Sequence, residues 1–342
     1  MKKILLSIVA LCCTVVAGAQ NSSQQLSAIL QKGDVATIYY GADALKSAYN
    51  AAENGSVITL TSGLFNSPGN IQKSVSIYGV GFEDGINEGV TKTTIGGAVN
   101  FLAGSDGNTT QNAKLEGVYV NNSIYVRQVE NLTIAKCQFS DLIFNGTNVN
   151  GVLVRQCYFG SVNAKNNVLA SLTVKNCYMA GYAYDITSDS QALFDHCIIV
   201  DGKYSHACFP ASYTNNIITH SWGDNDNLTG LRYGSYAEKN IFTRSTFSSN
   251  VISVNNWFSV NCDALFSDAD NISYNTSRSF TLKSPETYVG TDGTPVGVTG
   301  GDYPWYKVPS LPYVKDLKAT VNGTNLDVDY EAGVSSTNPP TE

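Results

Sequence analysis

From residue 121 to residue 220 the apolar and polar positions recur with a period of 20. Leu132, Val152, Leu172 and Ala192 form one apolar column. Ile134, Val154, Val174 and Phe194 form a second, and Phe139, Phe159, Met179 and Ile199 a third. A fourth holds Cys137, Cys157, Cys177 and Cys197, with Ile217 next in line, and a further strand adds Ile124, Phe144, Ala164 and Tyr184. A fixed period in this range predicts a stacked solenoid, in which each repeat buries its apolar face against its neighbours. Positions 132 and 134 alternate with the period of a strand. Positions 137 and 139 alternate too, on the opposite parity. Such a slip would turn the apolar set outward unless the chain bends. A corner is therefore expected at Lys136, Gln156, Asn176, His196 and Asn216, where Asn and His suit a left-handed backbone. No helical stretch separates the strands. The expected fold is all-β, a right-handed parallel β-helix solenoid, its hand following the rule for parallel crossovers.

The flanks carry other patterns. Residues 1–19 have the order of a signal peptide: Lys2 and Lys3, an apolar run from Ile4 to Val16, and the small residues Ala17, Gly18 and Ala19. The run is too short to cross a bilayer, and no later segment is apolar enough. Residues 20–55 read as a polar arm, a short strand at 36–40 and a capping helix. Asp43 is its N-cap, Leu45, Ala48, Tyr49 and Ala52 line one face, and Gly55 is its stop. The β-helix is expected over 56–303. In its first coils Ile77, Val80 and Phe82 match Ile134, Cys137 and Phe139, and excursions follow at 83–112. Residues 220–238 interrupt the rhythm, which Asn240, Ile241 and Phe242 resume four residues late. Around Asn322-Gly323 two alternating runs predict a hairpin, set within 304–331 and expected to cap the far end, with a tail at 332–342.

Composition narrows the function classes. Charged residues make up 14% of the 342, with 30 Gly and 20 Tyr, which suits a β-solenoid with polar stacks and tight corners. The net charge of −7 becomes −9 once Lys2 and Lys3 leave with the leader, so no basic nucleic-acid footprint exists. Six cysteines would remain in the exported chain. A disulfide framework is one reading. The 20-residue column favours buried free thiols instead, because in-register neighbours point the same way about 4.8 Å apart, a poor match to disulfide torsions. Whether Cys208 and Cys262 pair stays open.

The segments LTVKNCYM and VSIYGVGF resemble coils of the pectin-lyase-like β-helix superfamily over roughly residues 56–300. The leader at 1–19 implies an exported protein of a Gram-negative bacterium, placed in the medium, at the cell surface or in the periplasm, and the resemblance is one of fold. Many members are polysaccharide lyases or hydrolases, but tailspikes and adhesins share the coil pattern, so it implies architecture before activity. The segment SPETYVGTDGTPVGVTGGDY at 284–303 resembles the closing coil of secreted bacterial β-helices.

Candidate chemistry lies on the outward columns flanking the corner. Before it stand Ala135, Arg155, Lys175, Asp195, Asn215 and Lys239; past it stand Gln138, Tyr158, Tyr178, Ile198 and Ile218. Arg155, Lys175, Asp195, Tyr158 and Tyr178 would form a platform for sugar, aromatic faces packing on pyranose rings and cations pairing with uronate or sulfate. Trp222, with His220, Asp224, Asp226, Arg232 and Tyr233 of the insertion, would wall the same groove. The bland alternatives are a surface ion pair between Lys175 and Asp195, an ordinary tyrosine ladder, and a polar ladder at His196. Asp224 to Asn227 offer oxygens for Ca²⁺ without the spacing of an EF-hand loop, so a solvated turn is the better reading, with no other cofactor expected. Neither the paired aspartates of pectin hydrolases nor the Arg-x-Pro motif of pectate lyases occurs, and no catalytic residue is singled out. The expectation is binding of an extracellular polysaccharide, an acidic one by its cations, with cleavage by lyase or hydrolase chemistry left open. The rival is a non-catalytic adhesin or structural rod. Oligomeric state is not legible.

Overall fold

The computed structural model describes residues 26–85, 90–104, 107–147, 149–200, 211–219, 228–229, 231, 234–247, 250–310, 312–322 and 325–334, the last two as backbone. Residues 1–25 with the expected leader, Cys208, most of the insertion (His220, Trp222, Asp224, Asp226, Arg232 and Tyr233 included) and residues 335–342 lie outside them.

The chain is a parallel β-solenoid of about eight turns. Among the described residues, sheets of 12, 9, 6 and 3 strands run along it, and strand order follows the coils. In the first sheet Val152, Leu172 and Ala192 stack, as do Ile134, Val154, Val174 and Phe194. In the second, Phe139, Phe159, Met179 and Ile199 do the same. Both sets are buried. The corners carry the expected left-handed backbone at Lys136, Gln156, Asn176 and His196, with φ between 49° and 53°.

The expected register departs from the structure in three places. The fifth corner is Asn215, not Asn216, because the coil is 19 residues long there: Asp195 pairs with Thr214 and Ile198 with Ile217. Asn216, not Ile217, therefore continues the cysteine column, and Ile217 faces outward. In the third sheet the rows are Ile124, Leu142, Val162 and Ala183, with Phe144 on Val126. The turns around that sheet absorb differences in coil length, so a strict 20-residue count misplaces Phe144, Ala164 and Tyr184. Phe82 is buried but leaves the sheet, and Thr93–Gly96 takes the place expected of it in the second sheet.

A left-handed corner leaves the next N–H pointing inward with no ladder partner, and buried N–H groups are almost always paired. The inner column supplies the acceptors. The Cys137 and Cys157 amides donate to the Sγ of Cys157 and Cys177, both at 3.4 Å. From Cys197 onward the acceptors are asparagines: Cys197 N–H to Asn216 Oδ1 (2.7 Å), Asn216 N–H to Asn240 Oδ1 (2.9 Å), Asn240 N–H to Asn256 Oδ1 (2.8 Å). The four column cysteines are buried and unpaired.

Both ends differ from expectation. Ser27–Lys32 is a strand rather than a polar arm, paired antiparallel with Val35–Tyr40 and Val57–Leu60, because Ala28, Ile29 and Leu30 are apolar and Gly33 makes the turn. The helix Ala44–Ala51 follows, burying Ala44, Leu45, Ala48 and Tyr49 over the first coils. Asp43 does not cap it with its side chain, which accepts from Asn66 Nδ2 instead, and Gly55 lies beyond its end. The coils stop near Trp257, whose bridge to Ile241 is the last pairing in the second sheet. Residues 284–303 are therefore not a closing coil. The chain from 262 to 310 turns back along the outside of the solenoid, and Ser310 reaches Glu116 on the third parallel strand of the first sheet. The hairpin Pro312–Asn322 and Asn325–Val334 thus leaves from the N-terminal third, not from the far end.

Asn240→Leu keeps the branching and the number of side-chain heavy atoms but leaves both the Asn216 amide and its Nδ2 without their acceptor at Asn240 Oδ1. The expected loss is about 2–3 kcal/mol, read as a lower urea midpoint at unchanged slope.

Candidate functional site

The predicted platform is not open. The segment 288–310 runs over the corner column, and the corner side chains from Lys136 to Asn215 hold it. Asn215 exchanges hydrogen bonds with Thr291 (2.8 and 3.0 Å), and the His196 ring meets Thr294 Oγ1 at 3.2 Å. Asn176 Nδ2 donates to the carbonyls of Val298 and Gly300, Gln156 Nε2 to Pro304 O at 2.6 Å, and Lys136 Nζ to Val308 O at 2.5 Å. His196 is thus a strap contact rather than a rung of a polar ladder. Gly301, at φ +72°, crosses so close that a Cβ would lie 2.8 Å from His196 Nδ1. Burial pushes the Lys136 ammonium down to about 8; Glu116 opposes this, and Arg155 and Lys114 add to it.

The outward column before the corner reads Glu116, Ala135, Arg155, Lys175, Asp195, Thr214 and Glu238, so Asn215 and Lys239 are corners and not members. Its charges are consumed internally. Arg155 donates to Gln156 Oε1 at 2.7 Å, stands 4.0 Å from Glu116 and lies over the Tyr303 ring. Lys175 bridges Asp195 (3.4 Å) and Asp302 (2.6 Å). Asp195 accepts from Thr214 and Asn215 and pairs with His196 Nδ1 at 3.1 Å. Burial alone would raise its carboxyl, but the imidazole and these hydrogen bonds outweigh burial and hold it at about 2.

The second expected strip is covered as well. Outward positions there run Gln138, Tyr158, Tyr178, Ile198, Ile217 and Ile241, and Ile218 points inward. Leu265, Phe266, Phe280, Leu282, Val296 and Val298 pack on them as a second core. Tyr178 is 3% exposed, and its hydroxyl donates to Ile272 O. The Tyr158 ring stacks on Tyr274, centroids 4.0 Å apart. The predicted residues Arg155, Lys175 and Asp195 therefore do come together, with Tyr158 and Tyr178 on the adjoining sheet, but as the seat of the chain's own C-terminal segment. Trp222 lies outside the described residues.

Where the returning segment meets the first excursion it leaves a cleft of about 450 Å³. Glu83, Asp84 and Gly85, residues 276–279, and Trp305, Tyr306, Lys307 and Val308 line it. Glu83 accepts from the Tyr274 hydroxyl and from Lys307 Nζ at 2.7 Å. Burial, then the Glu83 carboxylate, raise the Tyr274 phenol well above its ordinary range. The Arg278 guanidinium lies over the rings of Phe280 (4.5 Å) and Phe266 (5.2 Å), with Nε 3.2 Å from Asp268. Asp84 keeps a side chain 63% exposed, 3.8 Å from Lys92. The Trp305 indole N–H is buried with no acceptor. Sequence reasoning missed this site. Its available signals were the acidic pair in FEDG on an excursion and a tryptophan in the Pro-rich run PWYKVP.

Among the described residues no group of three or more His, Cys, Asp or Glu converges as a metal site, and no helix is long and apolar enough to cross a membrane. The Asp224–Asn227 run lies outside them. No protein-family model, curated protein or solved structure matches the chain.

The Asp195 carboxyl is lower folded than the ordinary value of 3.8, so its contribution is complete above pH 4 and is lost as pH falls through about 2. Acid should release the returning segment before the coils melt, seen as proteolysis between 284 and 307 with the far-ultraviolet strand signal retained. Asp195→Asn should show the same cleavage at neutral pH.

Proposed function

We propose that the protein is an exported, pectin-lyase-like β-helix that binds an extracellular polysaccharide in the cleft between Glu83, Arg278 and Trp305. The observation carrying this reading is the cleft itself: its volume of about 450 Å³ falls in the range of small-molecule sites, and it pairs an indole with carboxylates and hydroxyls. Such a set suits a sugar. The apolar face of a pyranose packs on an aromatic ring, while its hydroxyls donate to carboxylates and accept from N–H groups. The leader-like residues 1–19 and the coil segments LTVKNCYM and VSIYGVGF support export and family.

Binding is favoured over cleavage. Glycoside hydrolysis usually needs two carboxylates free to act on either side of the bond. Here Glu83 is held by Lys307 and Tyr274, and Asp84 stands beside Lys92. A second reading, a non-catalytic adhesin or structural rod, draws on the returning segment, which fills the face where extended glycans were expected to lie.

In native gels containing single polysaccharides, the mature protein should be retarded by at least one polymer without clearing it. Trp305→Ala should weaken retardation about tenfold or more, since stacking and burial of an indole are worth more than 1 kcal/mol. A folded Trp305→Ala protein retarded as strongly as the parent would place the site elsewhere; no retardation across the panel would favour the rod.

A further inference from the structure

We infer that the glycan taken by this cleft is uncharged, an inference that rests on the glycan-binding reading and specifies its substrate class. The cations that would attract a uronate or sulfate are already neutralised by the protein's own carboxylates. Lys307 sits 2.7 Å from Glu83, and Arg278 Nε sits 3.2 Å from Asp268. Arg278 Nη1 is spent on two backbone carbonyls, at 2.9 and 3.0 Å, the guanidinium plane lies over two phenyl rings, and Nη2, which has no hydrogen-bond partner, is buried out of a ligand's reach. Lys92, outside the lining, faces Asp84 at 3.8 Å. The lining therefore holds two carboxylates against two cations, with no charge left over for an anion.

An anionic sugar would have to displace Glu83 from Lys307, leaving a carboxylate that is 6% exposed without its cation, which is strongly unfavourable. It would also approach Asp84, the most exposed charge of the lining, and a chain of net charge −7. The platform lysine and arginine offer no alternative, since Lys175 is held by two aspartates and Arg155 is buried under Tyr303. A neutral pyranose meets none of these penalties. Its hydroxyl protons find Asp84, and its C–H face finds the indole that lines the cleft.

The test is titration calorimetry of the mature chain with neutral polymers (laminarin, galactomannan, xylan backbone oligomers) and acidic ones (polygalacturonate, alginate, chondroitin sulfate), each at low and high NaCl. A neutral polymer should bind with an affinity that changes less than about twofold between 20 and 500 mM salt, because no charge pair forms with the ligand. Asp84→Asn, at a solvated side chain whose exchange spares the fold, should weaken that binding about tenfold, the worth of a hydrogen bond to a charged acceptor. Preference for acidic polymers, with affinity falling as salt rises and increasing in Asp84→Asn, would overturn the inference while leaving glycan binding intact. Neutral-polymer binding untouched by both Asp84→Asn and Trp305→Ala would overturn the assignment to this cleft. No binding to either class would remove the glycan-binding reading and the inference with it.

Discussion

Everything in this molecule depends on how a left-handed corner is satisfied on both its sides. The turn between the first and second sheets is made by one residue of positive φ per coil, from Lys136 to Asn255. Inside, the next amide has no ladder partner, and the side chain of the following coil accepts it: sulfur at the early corners, an asparagine oxygen at the later ones. Outside, the corner side chain projects a polar group into a groove between two sheets. One short run of residues thereby builds an interior hydrogen-bonded column and an exterior row of donors with the same spacing.

The exterior row is what the C-terminal segment reads. It is irregular backbone with exposed carbonyls, and the corners present amide, imidazole and ammonium donors to them at each step. Docking it converts the adjoining strips from surface to interior. Glu116 becomes wholly buried, its carboxyl held low because hydrogen bonds from Lys114 and Ser310 outweigh the desolvation that would raise it. Lys175 moves the other way: burial would lower it, and Asp302 and Asp195 keep it raised. Charges that would carry recognition on an open solenoid face are here committed to folding.

The cleft follows from the same docking. No single coil carries it: the excursion after the second coil supplies Glu83 and Asp84, the outer wrap supplies Arg278, and the returning segment supplies Trp305 and Lys307. Tyr274 ties these parts together by stacking on Tyr158 while donating to Glu83. A rigid solenoid beneath three converging loops is a familiar way to hold binding groups in place.

What the sequence by itself determined is the solenoid. The columns through Leu172, Val174, Cys177 and Met179, the parity slip at the corners and the free thiols all follow from a period repeated between near neighbours, where each residue's environment is set by the residue one coil away. Within the coils the departures fell where coil length changed, at Asn215, in the third sheet and at the excursion after Phe82, and the rest lay at the two ends. The tertiary structure alone decided which outward face is solvent. Asn176 meets Val298 across 122 positions and Lys307 meets Glu83 across 224. Such contacts have no period, so Arg155, Lys175, Tyr158 and Tyr178 looked like a surface in the sequence. The apolar Ile198, Ile217 and Ile241 on the same outward strip were the one local sign that something covers it, because a row of isoleucines gains free energy only by leaving water.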